Sequence, residues 1–291
     1  MSRSVVKKAV FPVAGLGTRI LPATKSIPKE LLPVVDKPIL QYVVDEAVNA
    51  GINEMVFVVS RTKNSIQDYF DKAYELESEL EKKNKTRELE LVRSLLPEDV
   101  HCAYVRQPEA LGLGHAVLCA KKVVGDEPFA VILPDDLMDD SGTIRKMVEL
   151  YGETGSSVIA VERIDPEKSD KYGVIATEDD GGGLPRITRI VEKPKPSQAP
   201  SNLAVVGRYV FSPGIFPHLE KTGTGVGGEI QLTDAVAALL QEEAVYAYEL
   251  EGRRFDCGTK LGYLEANVHF ALHNEELAAS FREYLKELET G

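Results

Sequence analysis

Cysteine is scarce in this chain: Cys102, Cys119 and Cys257 lie far apart and form no C-x-x-C pair. An odd, scattered set excludes a disulfide framework and fits a reducing compartment. Long apolar runs are missing too. None approaches the length of a membrane span, and no basic-then-apolar leader opens the sequence. The expectation is a cytoplasmic protein with no membrane partner. Positive charge is in deficit, with 34 Lys and Arg against 46 Asp and Glu, a formal net charge of -12. Such a chain repels phosphate backbones, which excludes nucleic acid as its main partner. An anionic ligand would need its own local patch of cations. Histidine is sparse as well. Of His101, His115, His218, His269 and His273, only the last two have a ligand-like i, i+4 spacing. They fall in a tail helix with no acidic motif beside them and read as surface residues. No Ser/His/Asp or Cys/His nucleophile system is found.

What is present is an ordinary globular composition: 291 residues, 43% hydrophobic and 27% charged, enough for a large core in one or two domains. The first half alternates strand and helix signals. "KKAVFPVA", "EMVFVVS", "HCAYVRQ" and "PFAVILPDD" read as buried strands. "KPILQYVVDEAVNAG" reads as a helix, with Ile39, Leu40, Val43, Val44, Ala47 and Val48 on one face. Continuous apolar strands between helices predict an α/β fold with a parallel sheet, and ligands at the carboxyl ends of its strands. Residues 65–85 are expected to form one exposed amphipathic helix, and "EKKNKTRELE" a solvated face or loop. The second half carries more strand signals: "SSVIAVERI", "YGVIATED", "ITRIVEKP", "LAVVGRYVFS" and "AVYAYELEG". From Leu261 the pattern turns helical.

Several spots could carry chemistry. "FPVAGLGTRILPATKSIPKELLPV", residues 11–34, is a glycine turn after a strand, followed by Arg19, Lys25 and Lys29. A dinucleotide fingerprint would need glycine where Ile20 stands, and the spacing of a P-loop is absent. Backbone N–H groups and nearby cations could still cradle a phosphate. The alternative is a structural turn with solvated cations. In "VILPDDL", Asp135 and Asp136 end a strand and point differently, so one of them suits a hard cation such as Mg²⁺; turn capping is the alternative. Asp256 in "RRFDCGT" is a second candidate ligand. Glu192 and Lys193 in "IVEKPKP" face opposite ways if the strand continues, and can both reach a cleft if it ends. "GTGVGGEIQLTDAV" offers Glu229, then Thr233 or Asp234, with a loop plus helix cap as the alternative.

Taken together, these stretches resemble the sugar-nucleotide pyrophosphorylase family, and the bacterial UTP–glucose-1-phosphate uridylyltransferases within it. The similarity runs in order through "FPVAGLGTRILPATKSIPKELLPVVDKP", "QPEALGLGHAV", "VILPDDL", "KYGVI", "IVEKP", "GGEIQLTDA" and "FDCGTK". The resemblance implies a Rossmann-like nucleotidyltransferase fold with a mixed, mostly parallel central sheet flanked by helices. It implies one domain over 1–262, nucleotide-binding to about 140 and sugar-binding from about 141, then a helical tail over 263–291. Ala14 and Gly15 match backbone contacts to the uracil, and Gln107 and Gly112 the groups that read its edge. Arg19 and Lys29 match triphosphate-holding positions, and Lys193 the lysine on the sugar phosphate. Asp135 and Asp256 match the magnesium ligands. Gly173, Glu192 and Val205 match sugar contacts, and Glu229 is counted with the substrate-binding positions. The implied reaction joins UTP and α-D-glucose 1-phosphate to give UDP-glucose and pyrophosphate, with Mg²⁺ as cofactor. A homodimer or homotetramer is implied. Competing readings are another triphosphate or sugar phosphate on the same fold, a non-catalytic sugar-nucleotide sensor, and a dehydrogenase, which Ile20 disfavours.

Overall fold

Runs of Val, Ile and Phe unbroken by polar residues extend into strands, because β-branched and aromatic side chains pack well on a pleated surface. The computed structural model describes residues 5–290 except 141, 180 and 182. Its strands are β1 (Lys8–Pro12), β2 (Pro33–Val34), β3 (Lys37–Pro38), β4 (Glu54–Val59), β5 (His101–Arg106), β6 (Phe129–Ile132), β7 (Asp136–Met138), β8 (Ser157–Arg163), β9 (Gly173–Asp179), β10 (Pro185–Glu192), β11 (Leu203–Phe211), β12 (Val245–Glu249) and β13 (Arg254–Asp256). Its helices are α1 (Ile39–Asn49), α2 (Asn64–Phe70), α3 (Tyr74–Lys82), α4 (Thr86–Arg93), α5 (Leu113–Cys119), α6 (Lys121–Val124), α7 (Thr143–Thr154), α8 (Ile215–Lys221), α9 (Leu232–Leu239), α10 (Lys260–His273) and α11 (Ala278–Thr290).

Nine strands form one mixed sheet in the order β5-β4-β1-β6-β11-β8-β12-β10-β9. The run β5–β4–β1–β6 is parallel throughout. Strand β11 then runs antiparallel to both β6 and β8, and it also touches β9. Alternation along each strand feeds two cores. Val10, Val56 and Phe129 face α5, α8 and α9 on one side. Ala9, Phe11 and Phe57 face α1 and α7 on the other. Helix α1 follows the expected face, and Gly51 beyond its end takes a φ of 82°. A buried ion pair ties α1 to the sheet: Arg208 Nη2 donates to Glu46 Oε2 at 2.8 Å, with the guanidinium fully buried. A third, smaller core of Ile20, Leu32, Leu137, Phe255, Cys257 and Ala266 lies under the separate β7–β13 ladder.

Two expectations need correction, and a third is decided between its alternatives. Residues 65–85 are not one helix. The chain goes extended at Asp71 (φ -78°, ψ 159°), which lets Phe70 stack on the core ring of Phe57 at 5.1 Å. Of the two readings of the polar run 81–90, the solvated face holds: Asn84, at φ 52°, ends α3, the chain re-enters a helix as α4, and every residue of the run but Leu89 is exposed. "HCAYVR" is not a buried strand. It forms the edge of the sheet with one neighbour, so its residues are half-buried and its ends exposed.

Candidate active site

Strand β1 hands the chain to the glycine turn at the carboxyl edge of the sheet, where Val13 N–H still donates to Val58 O at 2.9 Å. Gly17 takes a φ of 67° and packs on Thr24, whose hydroxyl donates back to Gly17 O at 2.6 Å. This closure folds 18–31 into short 3₁₀ turns. The last turn carries Lys29 to Asp135, Nζ to Oδ2 at 2.5 Å. Burial works against the Lys29 ammonium, but Asp135 and Glu30 outweigh it and hold its pKa above the usual lysine value. Burial likewise opposes the Asp135 carboxylate, and Lys29 overcomes it, holding the carboxyl below the usual range. Arg19 lines the same cavity. Lys25 is exposed and does not.

Asp135 and Asp136 diverge because each has its own partner. Asp136 accepts from Arg254 and from Gly207 N–H at 2.9 Å. In the β7–β13 register Asp136 sits opposite Asp256, and Cys257 N–H donates to Asp135 O at 2.7 Å. The turn after β13 therefore brings Asp256 back beside Asp135. At Gly258 a Cβ would stand 2.8 Å from Asp135 Oδ2 and 3.0 Å from Asp256 Oδ1. Only a hydrogen at that position leaves the space between the two carboxylates open. Burial raises the pKa of Asp256, and the charges of Asp136 and Asp135 raise it further. Two carboxylates that face one open gap could hold a divalent cation between them. Among the described residues no group of three or more His, Cys, Asp or Glu is placed to hold one. A pair suffices for Mg²⁺, which typically takes one or two protein carboxylates and completes its shell with phosphate and water.

A further part of the lining comes from β9, β10, β11 and α9. Gly173 has no room for a side chain: a Cβ would meet Thr233 Cγ2 at 2.8 Å and Glu192 Oε2 at 3.4 Å, with Val205 Cβ at 3.8 Å. Thr233 Oγ1 donates to Glu192 Oε2 at 3.0 Å. Lys193 takes a φ of 45°, so the strand ends there and its side chain turns back to Glu192, Nζ to Oε1 at 3.1 Å. The two residues thus pair, as alternation within a continuing strand would forbid.

One cavity of about 810 Å³ gathers Arg19, Lys29, Asp135, Gly173, Glu192, Lys193, Val205, Glu229 and Asp256. Ala14, Gly15, Gln107 and Gly112 do not line it. They adjoin it instead. A Cβ at Gly15 would lie 3.9 Å from Lys29 Cε, and Gly112, at φ 100°, leaves no room for a Cβ beside Glu229. Gln107 Nε2 donates to Gly112 O at 3.1 Å.

No local spacing signals the network behind these groups. Arg254 bridges Asp136 and Glu162 and donates to the Tyr172 hydroxyl at 3.2 Å. Glu30 is buried against Lys63, Nζ to Oε2 at 2.7 Å. Partners so distant in the chain leave no spacing signal. The surface reading of His269 is corrected as well. Its ring packs on Phe255 at 4.9 Å, and its Nε2 lies 3.7 Å from Asp139 Oδ2.

Residues 8–272 match the family described as Nucleotidyl transferase. The chain is 50% identical to the UTP–glucose-1-phosphate uridylyltransferase of Haemophilus ducreyi over 290 residues, covering 97% of this chain and 98% of that protein. It is similar to the UTP-bound UGPase of Acinetobacter baumannii, with a TM-score of 0.90 and 48% identity over 97% of this chain and 99% of that one. A UDP-glucose pyrophosphorylase complexed with UDP-glucose matches with a TM-score of 0.84 and 44% identity, over 92% of this chain and 100% of that one.

Proposed function

The chain belongs to the nucleotidyl transferase family, with the bacterial UTP–glucose-1-phosphate uridylyltransferases, and we propose that its cavity joins UTP to α-D-glucose 1-phosphate, giving UDP-glucose and pyrophosphate. The observation that carries this reading is the placement of charge. A single cavity in an acidic protein holds Arg19 and Lys29 beside Asp135 and Asp256, and Glu192 with Lys193 further along.

The chemistry suits those groups. An oxygen of the sugar phosphate attacks the α-phosphorus in line. The new O–P bond forms as the bond to the bridging oxygen breaks, and its electron pair leaves on pyrophosphate. The nucleophile is anionic near neutral pH, so no general base is required. What remains is to align two polyanions and neutralise them. Lys193 is assigned to the attacking phosphate, and Arg19 and Lys29 to the departing pyrophosphate. Gly173, Glu192, Val205 and Glu229 are assigned to the sugar side. Ala14, Gly15, Gln107 and Gly112, next to the cavity, are assigned to the uracil. Asp135 and Asp256 would hold Mg²⁺, which supplies charge neutralisation at the α-phosphate and its neighbours. On this reading the Lys29–Asp135 pair keeps each group in place for what the substrate brings: phosphate for Lys29, a cation for Asp135. The nucleotide part spans about 1–140 and the sugar part about 141–262, with 263–291 as a helical tail.

Pyrophosphate release tests the proposal, assayed over a panel of nucleoside triphosphates and sugar 1-phosphates with Mg²⁺. Turnover is expected with UTP and glucose 1-phosphate. Silence across the panel would favour a sugar-nucleotide sensor on the same fold.

A homodimer or homotetramer is proposed on a separate ground. Val35, Leu264, Val268, Leu277, Phe281 and Tyr284 line an apolar groove of about 530 Å³ along α10 and α11. Sedimentation of a monomer at micromolar concentration would remove this part. A cytoplasmic location is proposed from the cysteines, all three of them free thiols. Among the described residues no helix is long and apolar enough to cross a membrane.

A further inference from the structure

Gln107 follows β5 and is 7% exposed. Its amide nitrogen has two neighbours. Nε2 donates to Gly112 O at 3.1 Å, and it lies 3.1 Å from His115 Nδ1. A peptide carbonyl only accepts, so Gly112 O fixes which end of the amide faces it: the NH₂ group. His115 Nδ1 therefore meets a donor and must itself carry no proton. The proton of the neutral ring then resides on Nε2, which faces Cys119 Sγ at 3.8 Å, one helical turn along α5. Burial raises the pKa of the Cys119 thiol, so its sulfur stays neutral and can serve as a weak acceptor. Gly112 O is held in turn by Ala116 N–H at 3.1 Å, as the first turn of α5. Among the described residues the remaining end of the amide, Gln107 Oε1, meets no protein donor.

We propose that His115 is a positioning residue for base selection: held as the Nε2–H tautomer, it locks the Gln107 amide so that the carbonyl, not the amine, is presented to the nucleotide. The inference rests on the assignment of Gln107 to the base. A carbonyl so presented accepts from a base edge with a ring N–H, such as N3–H of uracil. It rejects an edge with a bare ring nitrogen, such as N3 of cytosine. Flipping the amide would set Oε1 against Gly112 O and against the unprotonated Nδ1, losing both contacts at once. The base is thus selected from two steps away, through the proton on an imidazole.

The test uses the full chain. The ratio of kcat/KM for UTP over CTP is measured in the wild type, His115→Phe and Gln107→Ala, and the imidazole nitrogens of His115 are read by ¹⁵N NMR at neutral pH. His115→Phe should narrow the ratio about 3- to 10-fold, the scale of one neutral hydrogen bond, mainly through KM for UTP. Gln107→Ala should narrow it at least as much. NMR should show Nδ1 bare and Nε2 protonated. An unchanged ratio in Gln107→Ala removes the base-reading assignment and this inference with it. A narrowed ratio there but not in His115→Phe overturns the inference alone. So does a proton on Nδ1, which can be read even if the Phe variant does not fold.

Discussion

At the scale of residues, Lys193 and Asp256 make separable demands. Lys193→Ala should lower kcat/KM by roughly 10²–10³, the scale of one preorganised electrostatic group. The circular dichroism spectrum should barely change, because the side chain is 42% exposed and its ion pair is with the neighbouring Glu192. Near-normal turnover would take Lys193 out of the mechanism. Asp256 works in the other direction. Its pKa is raised, so its charged form costs the metal-free fold stability, and that cost grows as pH rises past the unfolded value of about 3.9. Asp256→Asn keeps the oxygen that accepts from Gly258 N–H at 3.0 Å and removes the charge. In chelator its Tm near neutrality should therefore rise, by about 1–3 °C, while activity falls. The gain should vanish near pH 3, where the native carboxyl is already protonated. Calorimetry at the two pH values decides the sign. Asp135→Asn should flatten the magnesium dependence of turnover; an unchanged titration would count against that ligand. The residues in these predictions were legible in the sequence because each sits where a strand signal stops. Arg254, Tyr172 and Lys63 were not, because an ion pair across 92 positions, as between Arg254 and Glu162, leaves no local pattern.

At the scale of elements, legibility followed periodicity. The buried strands and α1 read clearly, since apolar period and length agreed. Helices α2 to α4 did not, because the break at Asp71 exists to seat Phe70 on Phe57, a contact the local sequence cannot show. The edge position of β5 was hidden for a like reason: burial of a strand depends on how many neighbours it has. The joint between α1 and β11 is testable at this scale. Glu46 accepts from both the Nε and Nη2 of Arg208 and from the Ile144 N–H at the start of α7. Glu46→Ala would leave a fully buried guanidinium without its counter-charge, and should destabilise by about 3–5 kcal/mol. Urea denaturation measures this. Replacing both partners by apolar residues should recover much of the loss, whereas an equally unstable double variant would show that the charge pair itself is not what the joint depends on.

At the scale of the whole molecule, the antiparallel half of the sheet was the least legible part. Strand direction is set by connections, and nothing in "LAVVGRYVFS" says which way its neighbours run. That strand, β11, pairs with β6 through Arg208–Phe211 and with β9 through Leu203 and Ala204. Its register shift between Val205 and Tyr209 lies where Val205, Val206 and Gly207 line the cavity. One strand, Leu203–Phe211, therefore underlies both of the regions proposed for the substrates, and we expect no hinge between them. The radius of gyration from X-ray scattering should stay constant within error on addition of UDP-glucose; a marked contraction would contradict this. The consequence concerns tempo. We expect the two substrates to be laid on a stationary anvil, so that the rearrangement in each cycle falls to loops and side chains above it rather than to halves of the protein swinging apart.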